Sequence, residues 1–166
     1  MALEKTSDVL DGQGELAGER SLLEETLSIA RRLAAADPTS AVAERDLFVA
    51  LTDLGDVLKL GDLNVALKDY EEGLDIARRL AAGDPSDAKA QADVSLALEK
   101  VGDVALARPD PAAALKAFDD SLAVARSAAA ADPLNADAQR RVAALLSRLA
   151  QLPGSGVGWA DVVAQL

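Results

Sequence analysis

The chain has 166 residues, 50% of them hydrophobic, 2% aromatic and 27% charged. That is enough apolar content to bury a core, and its bias toward Ala, Leu and Val favours closely packed helices over disorder. A formal net charge of −11 repels nucleic-acid phosphates and anionic lipid surfaces, and the lack of any Cys or His removes disulfides, thiolate nucleophiles, the usual zinc ligands and Ser-His machinery.

The first residues, MALEKTSDVLDGQGELAG, carry Glu4, Lys5, Asp8 and Asp11 and no apolar core of signal-peptide length. Nowhere do ~18 apolar residues run together, so the expectation is a cytoplasmic protein that does not engage a membrane. Further along, one dozen residues is written three times: LSIARRLAAADP from Leu27, LDIARRLAAGDP from Leu74 and LAVARSAAAADP from Leu122. A second block, LEKTSDVL at Leu3, returns as LTDLGDVL at Leu51, LEKVGDVA at Leu98 and LSRLAQL at Leu146. The period is therefore 47 to 48 residues. Its one-residue variation falls between DVLDGQGEL and the shorter DVLKLGDL, in a turn, where a deletion rotates no helix face.

Helices are expected over 2–12, 15–36, 40–60, 62–83, 87–107, 111–131 and 135–151. In the second unit Ala66, Tyr70, Leu74, Ala77, Leu80 and Ala81 recur at helical spacing and make one buried stripe. Asp-Pro at 37–38, 84–85 and 132–133 ends a helix each time, because the residue before Pro is pushed out of helical geometry. Ser40, Asp87 and Asn135 then stand ready to cap the next one, as Asp62 and Asp110 do after the other turns. Each unit thus reads as two helices. A lone pair cannot bury its stripe, so neighbouring pairs must stack. Residues 153–166 follow as a Gly-rich linker and a short helix whose stripe, Trp159, Val162, Val163 and Leu166, is expected to cover Leu145, Leu146 and Leu149.

These residues resemble the tetratricopeptide repeat, whose signature is W-x2-L-G-x2-Y, then A-x3-F, then P. The second unit offers Leu51, Leu54, Gly55 and Leu58, then Ala66 and Tyr70; the third offers Leu98, Val101, Gly102 and Ala105, then Ala114 and Phe118. The unit is longer than the family's ~34 residues, so the chain is similar to the long-helix variety found in kinesin light chains and many bacterial arrays. The period alone also suits HEAT-type repeats. The resemblance implies an all-α, right-handed solenoid of stacked antiparallel helix pairs over residues 1–152. It also implies a non-catalytic scaffold that holds a segment of another protein in a concave groove.

Carried over from the family, the groove-lining positions are Glu4, Asp8, Thr52, Asp56, Glu99 and Asp103, with Ser147 and Gln151 in the last, partial unit. Five of these eight are carboxylates and none is basic, which favours a partner segment bearing Lys or Arg. The recurring Glu24-Glu25, Glu71-Glu72 and Asp119-Asp120, with Arg31-Arg32, Arg78-Arg79 and Arg126, read as exposed ion pairs of the second helices. PGSGVG at 153–158 follows a helix and lacks the phosphate-loop Lys, so no nucleotide is expected there, and no cofactor or metal elsewhere. Two other readings stay open: self-association through the apolar ends of the array, and a piece of a longer protein whose activity lies in another domain.

Overall fold

In the computed structural model, backbone is described for residues 2–164 and side chains from residue 16 onward. Among the described residues the chain is helical and holds no strand. The helices are α1 (Ala2–Ala36), α2 (Ala41–Leu58), α3 (Leu63–Gly83), α4 (Ala88–Ala107), α5 (Pro111–Ala131), α6 (Ala136–Leu149) and α7 (Trp159–Val163). Each packs on the next in chain order.

The repeated Asp-Pro punctuation has one repeated geometry. Asp37, Asp84 and Asp132 each turn a carboxylate oxygen to the amide two residues on, accepting from Thr39, Ser86 and Leu134 at 3.1, 2.9 and 3.0 Å. The side chains of Ser40, Asp87 and Asn135 then accept from the amides of Ala43, Ala90 and Ala138 and open α2, α4 and α6. Asp62 and Asp110 do the same for α3 and α5. Each cap satisfies amides that a helix start leaves without an intrahelical partner.

Stacking of the helices is keyed by glycine against an aromatic ring. A Cβ on Gly55 would stand 2.6 Å from Cε1 of Tyr70, and one on Gly102 would stand 2.7 Å from Cε1 of Phe118. Both rings are buried, so α2 approaches α3, and α4 approaches α5, closely enough that only a hydrogen fits. Around them the apolar stripes form two clusters, one reaching from Leu27 of α1 to Val104 of α4, the other from Ala105 to Val162 of α7.

Two expectations are corrected here. The turn expected near Gly12–Gly14 is helical, so residues 2–12 and 15–36 form the single helix α1. A glycine costs a helix only about 1 kcal/mol, whereas every other turn carries Pro or a capping Asp that removes or satisfies backbone groups. The C-terminal stripe also splits. Val162 is buried in the same cluster as Leu145, Leu146 and Leu149, but Trp159 and Val163 are exposed, and Leu166 lies outside the described residues. A five-residue helix spans too few turns to present the whole stripe. Its start is held by Asp161, whose carboxylate accepts the Gly158 amide at 2.8 Å.

Candidate functional site

The helices that open the units, α2, α4 and α6, are bridged to one another by ion pairs. Asp56 of α2 accepts from the Lys100 ammonium of α4 at 2.5 and 2.6 Å and from the Tyr70 hydroxyl of α3 at 2.6 Å. Glu99 of α4 accepts from Arg141 of α6 at 2.7 Å, and Asp103 from Arg148 at 2.5 Å. Arg148 also lies over the Phe118 ring, 5.3 Å from its centre, a cation–π distance. Burial pushes the Asp56 carboxyl up, but the Lys100 and Tyr70 hydrogen bonds outweigh it and hold it below its ordinary value. Burial, then the hydrogen bond to Asp56, pushes the Tyr70 phenol up, so it stays protonated as a donor.

Toward the N-terminal ends of α2 and α4 the bridge is different. Arg45 inserts between them and donates to Asp87 at 2.7 Å and to Asp93 at 3.2 Å. Beside it Phe48 is buried against the α carbon of Gly73.

Of the residues expected to line a groove, Asp56, Glu99 and Asp103 are brought onto this shared face. Each is engaged by a cation of the following unit, so they do not present the free negative charge on which a basic partner was expected. Thr52 is buried, with its hydroxyl donated to the Phe48 carbonyl of its own helix at 2.9 Å. Ser147 likewise donates to Ala143, and Gln151 to Ser147. Glu4 and Asp8 lie outside the residues whose side chains are described. Lys100, Arg141 and Arg148 stand outside the positions to which the repeat signature points. The signal that finds them is an acid in one unit with a base 42 to 45 residues on, a few residues short of a period.

The expected surface pairing of the second helices is partial: Arg31 pairs with Glu72, Arg79 with Glu44 of α2 and Asp120 with Lys116, whereas Glu25, Arg32, Glu71, Asp119 and Arg126 make no ion pair among the described residues. Asp69 of α3 stands apart. It is buried, and Oδ2 has no hydrogen-bond partner; burial raises its carboxyl above its ordinary value, which Arg31 partly offsets and Glu72 reinforces. Among the described residues no group of His, Cys, Asp and Glu is placed to hold a metal ion, and no helix is long and apolar enough to cross a membrane. No protein-family model and no curated protein matches the chain.

Proposed function

We propose that the chain is a non-catalytic scaffold, built as a tetratricopeptide-like solenoid, that holds a segment of another protein along the face shared by α2, α4 and α6. Two glycine–aromatic contacts, Gly55 with Tyr70 and Gly102 with Phe118, support the family reading, because they fall at the signature positions of successive units. The observation that carries the binding reading is the ladder of ion pairs from Asp56 to Arg148. It joins three helices along one polar face.

Pairing within the ladder leaves side chains between its rungs to make contact. Val49 is 45% exposed, and Leu96 stands one repeat on, half-buried. Apolar side chains framed by satisfied polar groups are the usual anatomy of a binding surface. The test places a photo-crosslinking residue at Val49 or Leu96, and as controls at the exposed Glu71 and Asp119 of the second helices, in cells of the source. Discrete protein adducts at the first two positions and none at the controls support the reading. Equal adducts at all four overturn it.

A further inference from the structure

The interface between α4, α5 and α6 repeats that between α2, α3 and α4 one unit later, but its filling side chains are cut back. Arg45, Phe48 and Leu80 of the earlier unit are matched by Ala92, Ser95 and Ala128. Arg45 bridges two acids in the earlier interface, while Phe48 and Leu80 are buried in its core. In the later one a cavity of about 280 Å³ remains, floored by Val124, Ala125 and Ala128 and walled by Ala92 and Ala138. Ser95, which also lines it, is already satisfied: it is buried and bonded to the buried Ser121 behind it at 2.8 Å.

The charge around the cavity is also reversed. Asp87 and Asp93, which hold Arg45, are matched by Asn135 and Arg141, so two negative charges become one positive. Lys89 stands at the rim where the earlier unit has Val42. Glu99 takes one N–H of Arg141, and a guanidinium has five to give. The rim acid Asp137 is engaged by Arg140, and Lys89 makes no ion pair within 4 Å among the described residues, although its field reaches the buried Asp93 one turn on. The N-terminal turns of α4 and α6 both border the cavity, and their dipoles add to the same sign.

We propose that this cavity binds an apolar group of side-chain size that carries a carboxylate, presented by a partner segment lying on the α4–α6 face. The size follows from the volume, which sits just below the ~300–1,000 Å³ of pockets for whole small molecules. The apolar part follows from the alanine and valine walls, and the carboxylate from Lys89 and the spare donors of Arg141. Ala88, Ala92, Ser95 and Glu99, at successive helical steps, join the cavity to the ladder. The proposal rests on the reading of that face as a binding surface and names the chemistry it takes.

The experiment titrates the full chain, labelled with nitrogen-15, with 3-phenylpropionate and, separately, with the cation 3-phenylpropylamine. The expected result is saturable shifts of the amides of Ala92, Ser95, Ala125 and Ala138 by the acid, with the amine about tenfold weaker. Lys89→Ala should remove most of that difference. Ala92→Arg combined with Ala128→Leu, which restores the side chains of the preceding unit, should abolish binding. The contrast between acid and amine needs no variant, so a misfolded double variant does not decide the matter. Equal binding of the amine, shifts scattered over the surface, or undiminished binding by a folded, filled variant would overturn the proposal. A silent titration also removes the cavity, while the cross-linking result at Val49 and Leu96 stands or falls separately.

Discussion

Gly102 lies on the ring of Phe118 so closely that a Cβ would stand 2.7 Å from Cε1. Phe118 is fully buried and has nowhere to withdraw. Gly102→Ala gains ~1 kcal/mol of helix propensity but forces apart α4 and α5, an overpacking that costs about 1–3 kcal/mol. The net effect in urea denaturation is a loss. Gly18→Ala, where a Cβ meets nothing within 4 Å, should instead raise stability by about 1 kcal/mol.

Asp69 is a liability at neutral pH. Its folded carboxyl titrates above the ordinary aspartate value, so between the unfolded and folded values the native state binds the extra proton. Stability therefore falls as pH rises through that window and does not recover above it. Asp69→Asn should raise stability at pH 7 by about 1–2 kcal/mol, and the gain should vanish below about pH 4. Thermal melts of both proteins at the two pH values check this. Asp69→Ala should also stabilise, since Ala117 occupies the matching place in the next unit and is buried.

Arg45 holds α2 to α4 through Asp87 and Asp93, and Asp93 is 9% exposed. Arg45→Met leaves that carboxylate buried without its cation and should cost about 1–3 kcal/mol. Adding Asp93→Asn should recover part of the loss. A double-mutant cycle that returns no coupling between the two positions would show that the pair is ornamental.

The two ends of the C-terminal stripe should respond differently. Val162→Asp places a charge in the buried cluster that holds Leu145, Leu146 and Leu149 and should destabilise by about 1–3 kcal/mol. Trp159→Ala, at a side chain 59% exposed, should stay within about 0.5 kcal/mol. Denaturant titration of the two variants side by side makes the comparison.

Helix ends were legible wherever the chain marks them chemically. Asp-Pro and the caps Ser40, Asp87 and Asn135 act through local backbone groups, so a reader of sequence meets the same constraint as the fold. Gly12 and Gly14 carry no such constraint, and there the expected turn is helical. The acids of the first-helix face were legible from their place in the repeat. Their cations were not, because Lys100, Arg141 and Arg148 stand nearly a whole unit away and meet the acids only when units stack. Asp69 is not legible for a related reason: its helix face is visible in the sequence, but the absence of a donor opposite it depends on the neighbours.

The most direct test of the central claim is hydrogen–deuterium exchange of the chain alone and in complex with a partner recovered by cross-linking at Val49 or Leu96. Binding along the shared face predicts slower exchange in residues 41–58, 88–107 and 136–149, with residues 63–83 and 111–131 unchanged. Protection confined to those second helices would contradict it.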